Sequence, residues 1–153
     1  MMDKLASEFL FEMAIEVGEP AIIGANPSGE RRVVPIRGGR FAGPRLSGRI
    51  LPIGEDALVI GKGGRTRLDV RIVLETNDGA LIYTCYHGLR TGPEPIMRRL
   101  AAGETVAPES YYFRTSIVFE TGDHRHAWLN DLLAIGIGHR PPSGPVYRVF
   151  AIL

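Results

Sequence analysis

The chain has 153 residues and 16.8 kDa, 44% of them apolar and 23% charged, which fits one globular domain over residues 1–153 and excludes a disordered chain. Its 18 basic and 17 acidic side chains nearly cancel, so no field arises that would gather nucleic acid or an anionic membrane surface. Glycine (19) and proline (11) supply about a fifth of the residues, a punctuation that breaks helices and suits many short strands. At the start, Leu5, Ser7, Phe9, Phe11, Met13, Ile15 and Val17 share one parity, and Glu8, Glu12 and Glu16 the other. Period two predicts a strand with one buried face, and the glutamates leave no apolar leader run. Ile22-Ile23 precede a turn at Asn26-Pro27-Ser28-Gly29. Arg31 to Ile36 reads as a second strand ended by Gly38-Gly39, Leu46 to Leu51 as another stopped by Pro52, and Ala57 to Ile60 as a short one.

The middle of the chain carries the best hairpin. Thr66 to Thr76 alternates, with Leu68, Val70, Ile72 and Leu74 on one face. Ala80 to His87 runs back after Asn77-Asp78-Gly79. A two-residue Asp78-Gly79 turn would put Tyr86 and Thr84 opposite the charged row; the three-residue loop with Gly79 left-handed, which pairs Thr76 with Ala80, suits Thr-Asn-Asp-Gly better and is the expected one. Asp69, Arg71 and Val73 then share a face with His87, Cys85 and Tyr83. Pro95 to Ala102 is the one good helix, closed by Gly103. Tyr111 to Glu120 is a long aromatic strand, His124 to Asn130 a helical turn or loop, and Leu132 to Ile137 and Val146 to Leu153 the last strands. About eight to ten strands with short connections predict a single antiparallel β-barrel, which removes exposed edges and has room for one small ligand. A lone Cys85 offers no internal disulfide, so no oxidising compartment is needed. No stretch approaches the roughly 20 apolar residues of a membrane helix. A soluble cytoplasmic protein is the expectation.

Two clusters carry candidate chemistry. Arg67, Asp69, Arg71 and Glu75 stand opposite the apolar row of their strand. They form either a solvated outer face with cross-strand ion pairs or a polar barrel lining in which Arg71 holds a ligand anion and Asp69 orients it. Period two alone leaves open which face turns inward. Tyr112 and Arg114 share one face of their strand, which forms either a clamp for a planar carboxylated ligand or the outside of an aromatic core with a satisfied surface arginine. Trp128, the single tryptophan, walls a pocket or plugs the barrel. Asn130 faces a carbonyl or caps its own turn. No metal is expected, because His124 and His126 sit in a polar loop far from His87 and His139. No cofactor is expected either: Gly61-Lys62-Gly63-Gly64 lacks the end of a phosphate loop. Six arginines and no acid fall within residues 31–49, but glycine and proline interrupt them and only Phe41 interleaves, so a nucleic-acid partner is not expected.

Several blocks resemble a known family. They are Gly-Gly-Arg-Phe-Ala-Gly-Pro-Arg-Leu-Ser-Gly at 38–48, Leu-Asp-Val-Arg-Ile-Val-Leu-Glu-Thr-Asn-Asp-Gly-Ala-Leu-Ile-Tyr at 68–83, Tyr-Tyr-Phe-Arg-Thr at 111–115, Phe-Glu-Thr-Gly-Asp at 119–123 and Trp-Leu-Asn at 128–130. In this order, over nearly the whole chain, they resemble domain-of-unknown-function family 3237, also called uncharacterised protein family 0311. The resemblance implies one β-barrel of lipocalin-like shape and no established reaction. It raises Asp69, Arg71, Tyr83, Arg114, Trp128 and Asn130 as pocket residues. One departure stands out: the family's Gly-Gly-x-Asp-Trp reads Ile53-Gly54-Glu55-Asp56-Ala57 here. Asp56 is kept, the aromatic is gone, and a more open pocket is the expected result.

Three functional readings follow. The leading one is a barrel that binds a small anionic or carbonyl-bearing organic molecule, with Arg71, His87, Tyr112, Arg114, Trp128 and Asn130 around it. The second is a cofactor-independent isomerase, cyclase or lyase in which Asp69 is the general base and Tyr83 or Arg71 steadies an oxyanion. The third is a structural homo-oligomer, a dimer whose apolar strand faces bury against a second subunit.

Overall fold

The computed structural model describes residues 3–153. Nine strands form one antiparallel sheet: β1 (Ser7–Val17), β2 (Ala21–Asn26), β3 (Gly29–Ala42), β4 (Ser47–Ile60), β5 (Thr66–Thr76), β6 (Leu81–Thr91), β7 (Tyr112–Glu120), β8 (Leu133–His139) and β9 (Val146–Ile152). Their order is β1-β9-β8-β7-β6-β5-β4-β3-β2, and β1 also pairs with β3. Eight strands therefore close into a barrel, while β2 adds to the first half of β3 outside the ring. One α-helix, α1 (Glu94–Ala101), and a 3₁₀ segment, His124–Asp131, lie between strands.

The expected hairpin forms in the expected register. Thr76 N–H donates to Ala80 O at 2.9 Å, Gly79 has φ +89°, and Asp69, Arg71 and Val73 pair with His87, Cys85 and Tyr83. Thr76 Oγ1 supports the loop by accepting the Ala80 N–H and donating to the Asp78 carboxylate. Burial settles the open question of face. Thr66, Leu68, Val70, Ile72, Leu74 and Thr76 are buried, whereas Asp69 and Arg71 turn outward. An antiparallel sheet places its apolar row on the core side, and here the core is the barrel interior.

Two expected strand ends prove to be bends. β3 runs on through Gly38-Gly39, and β4 runs on through Pro52. The register slips between Pro35 and Gly39 on one ladder and between Ile50 and Gly54 on the next. Gly39 and Gly54 take φ +138° and +101°, and a Cβ there would stand 2.2 Å from Ala14 O and 2.0 Å from Arg71 O. These bulges let long strands curve around the barrel. A third slip, between Phe9 and Phe11, corrects the simple alternation of β1. Leu10 and Phe11 are both buried, and Phe9 turns outward onto Phe150, with ring centres 5.6 Å apart.

The two ends of the barrel differ. At the end holding the Asn77–Gly79 loop, Phe11 meets Phe41 and Phe119 edge to face at 5.4 and 6.1 Å, and buried Leu129 from the 3₁₀ segment packs into the same core. Each such burial contributes roughly 1.5–3 kcal/mol. At the other end, α1 crosses the opening and stops at Gly103. Gly103 N–H donates to Leu100 O and Glu104 N–H to Arg99 O, the paired bonds of a Schellman cap.

Candidate functional site

The α1 end of the barrel encloses a cavity of about 310 Å³. That is at the low end of the roughly 300–1,000 Å³ typical of ligand pockets. Val34, Leu58, Leu68 and Val70 supply apolar wall, and Met97 and Leu100 of α1 supply the cover. Eight polar side chains break that lining: Arg32, Asp56, Thr66, Tyr86, Arg90, Arg140, Tyr147 and Glu104, the last paired with Arg99.

The pleat explains how they arrive there. Asp56 pairs with Val70, and Val70 with Tyr86, so one cross-strand row turns the carboxyl and the phenol inward. Arg90 pairs with Thr66 and Phe113 in a row nearer the mouth. Tyr147 reaches in from β9 and meets Tyr86 edge to face at 5.3 Å and Phe113 at 5.3 Å.

Asp56 accepts a hydrogen bond from the Asp69 backbone N–H at 3.2 Å. Its carboxyl lines the cavity, and protein surrounds most of it. Burial is the main cause that raises its pKa to about 7, against the smaller opposing effects of the Asp69 N–H and the Arg90 charge. It thus exchanges its proton near neutral pH. Burial likewise raises the Tyr86 and Tyr147 phenols above their ordinary value, so both remain protonated donors.

Arg90 is the unbalanced charge of the site. Among the described residues no hydrogen bond or ion pair engages its side chain, and its Nε is buried without a partner. Its guanidinium lies 5.3 Å from the centre of the Phe113 ring. Burial lowers its pKa, while the neighbouring Tyr147 and Asp56 oppose that shift. Arg32 Nε is a second buried donor without a partner, although Arg32 Nη2 meets Glu30 at 3.1 Å. Arg140 is held by Pro141 O at 2.5 Å, and its backbone N–H donates to the Tyr111 hydroxyl at 2.8 Å. A buried cation without a partner is costly, so this end of the barrel favours an incoming anion.

The family model described as "Protein of unknown function (DUF3237)" matches residues 5–152. The chain belongs to this family. A UPF0311 protein of Rhodopseudomonas palustris is 35% identical over 153 residues, all of both chains. The crystal structure of a conserved protein of unknown function from that organism has a TM-score of 0.95 at 34% identity, covering 99% of this chain and 100% of that one. A beta-barrel like protein from Acinetobacter baumannii follows with a TM-score of 0.87 at 34% identity, covering 100% and 99%. The closed barrel is thus the architecture of DUF3237 relatives.

None of the eight residues expected at a pocket lines the cavity of this DUF3237 barrel. Asp69, Arg71 and His87 form a cluster on the outer wall, where Asp69 Oδ1 lies 3.4 Å from His87 Nε2 and 4.0 Å from Arg71 Nη2. Tyr83, Tyr112 and Arg114 are outward too, and the Arg114 guanidinium lies 5.1 Å from the Tyr112 ring centre. The polar-lining reading is therefore corrected: the apolar row points in, so its opposite parity points out. Trp128 stacks under Arg45, 3.6 Å from the ring centre, on the 3₁₀ segment away from the cavity. Asn130 braces a turn, accepting Thr121 N–H at 2.8 Å and donating to Thr121 O at 3.0 Å. Tyr83 and Asn130 border a shallow surface depression with Val73 and Glu120. Ala57 turns away from the cavity, so the missing family aromatic does not open it. His126 is buried against Asp78, its Nε2 3.3 Å from the carboxylate.

Asp56 was visible in the sequence as the surviving acid of the altered motif. Tyr86 and Arg90 had a signal as well. In the register derived from the turn, both share parity with the partners of Leu68, Val70 and Ile72.

Proposed function

We propose that this DUF3237 barrel binds a small anionic or carbonyl-bearing organic molecule in the cavity under α1. The observation that carries the reading is Arg90, a largely buried guanidinium with no hydrogen bond or ion pair to any described residue. An anionic group on the ligand supplies the missing partner, with Arg32 and Arg140 adding positive charge to the lining of the same cavity. Val34, Leu58, Met97 and Leu100 cover an apolar body. This moves the anion-binding role from Arg71 and Arg114 to Arg90. Native mass spectrometry of the purified protein, with solvent extraction, should reveal a bound organic molecule that Arg90→Met no longer carries. Protein that is clean in both forms, and that gains no thermal stability from millimolar benzoate or phenylpyruvate, sinks the reading.

A second copy of the chain is the partner that best suits the outer wall. Leu133, Val118, Tyr83 and Ile137 are 64%, 46%, 41% and 41% exposed on adjacent strands. Val118 pairs with both Cys85 and Leu133, so these side chains form one continuous face. Patches of this kind mark association surfaces.

A further inference from the structure

We propose that the cavity catalyses proton transfer at the carbon next to a carbonyl, with Asp56 as the base and a 2-oxo carboxylate of apolar body as the substrate class. This rests on the binding reading above and adds a reaction to it. The argument is one of placement. The Asp56 carboxyl, the Tyr86 and Tyr147 phenols and the Arg90 guanidinium line one small cavity together with Arg32, Arg140, Thr66 and Glu104, and the rest of its wall is mostly hydrocarbon. Asp56 has a single hydrogen-bond donor, the Asp69 backbone N–H, and no ion pair among the described residues. An acceptor thus remains free toward the cavity. Carboxylates that serve structure are normally saturated with donors or paired with a cation, and this one is neither.

The other groups divide the remaining work. Arg90 takes the substrate carboxylate, for the reason already given. Tyr147 and Tyr86 keep their protons at neutral pH and donate hydrogen bonds where negative charge develops. Asp56, Tyr86 and Tyr147 lie close enough for the carboxylate charge to oppose ionisation of both phenols. In the forward step the Asp56 carboxylate removes a proton from the carbon beside the carbonyl. The C–H electron pair becomes a C=C bond, and the carbonyl π pair moves to oxygen. The resulting enolate oxygen is held by a phenol O–H. Asp56 then delivers its proton to that oxygen, giving the enol, or first exchanges that proton with solvent and delivers a solvent proton to carbon, giving isotope exchange. No electron leaves the substrate and no second reactant is consumed.

Several charges surround the base. Arg90 favours its ionised form; Asp69 and Glu55 oppose it. With burial added, Asp56 ionises near pH 7, which suits a base working at neutral pH.

The test uses phenylpyruvate as the probe. Binding is read by native mass spectrometry or calorimetry. Exchange of the methylene protons in D₂O is read by proton NMR against the uncatalysed rate. The wild-type chain should bind and exchange, with a rate that rises through about pH 7. Asp56→Asn should still bind but lose about 10²–10⁴-fold in exchange, and Tyr147→Phe should exchange more slowly at unchanged binding. Binding without exchange above background overturns this inference and leaves the binding reading intact. Exchange that is equally fast in Asp56→Asn overturns the role of Asp56. No binding of phenylpyruvate by the wild type overturns this inference, and the binding reading falls with it only if solvent extraction is also empty and benzoate gives no thermal stabilisation.

Discussion

Asp56 is strained between two demands. Its position needs a carboxyl that faces a largely apolar cavity, and burial disfavours the charged form of such a group. The folded pKa, about 7, exceeds the ordinary 3.8. Between those values the folded chain binds a proton that the unfolded chain has lost, so stability falls as pH rises from about 4 to about 7. Asp56→Asn removes that charge. It should raise stability at pH 8 by about 2–4 kcal/mol and change it little at pH 4. Urea denaturation at the two pH values checks this; equal effects at both would mean that Asp56 is ionised freely in the fold. At this scale the sequence was only partly legible. The sequence pointed to an acid, arginine and tyrosine together, and the cavity holds those residue types at other positions. Their parity was not resolved, because Asp69 and Arg71 on β5 are polar whether they face water or a ligand. The deciding fact was that Leu68, Val70, Ile72 and Leu74 make one unbroken buried row.

Turn chemistry and strand pattern were easier to read than strand length. The Asn77–Gly79 loop allowed two registers for β5 and β6, and the one expected from a type I turn followed by glycine is the one that forms. Helix α1 ended where Gly103 required. Strands β3 and β4 were read as fragments, since Gly38-Gly39 and Pro52-Ile53-Gly54 look like breaks in one dimension. In the folded sheet they are bulges, whose strand partners cannot be seen from local sequence. Gly54 tests this directly. A Cβ there would meet Arg71 O at 2.0 Å with φ at +101°, so Gly54→Ala should destabilise by more than about 2 kcal/mol. A thermal melt followed by circular dichroism reads the loss. A neutral result would show that β4 and β5 separate easily at this point.

As a whole, the molecule is a barrel packed solid at one end and hollow at the other. Its net charge of +1 offers little repulsion between copies. If the face carrying Val118 and Leu133 is covered by a second copy, sedimentation should show a dimer, and Leu133→Glu should shift it to monomer with the barrel intact. A wild-type monomer at high micromolar concentration would remove the oligomer from the reading. The polarity of the barrel also bears on optical detection. Trp128 is the single tryptophan, and it sits beneath Arg45 beside the packed end. Its emission is therefore tuned by a neighbouring guanidinium and by events at the 3₁₀ segment, while the cavity is walled by Tyr86 and Tyr147. A screen that watches tryptophan fluorescence would pass over compounds that occupy the hollow end. A fluorescent ligand that is displaced on competition addresses the space that a bound molecule touches.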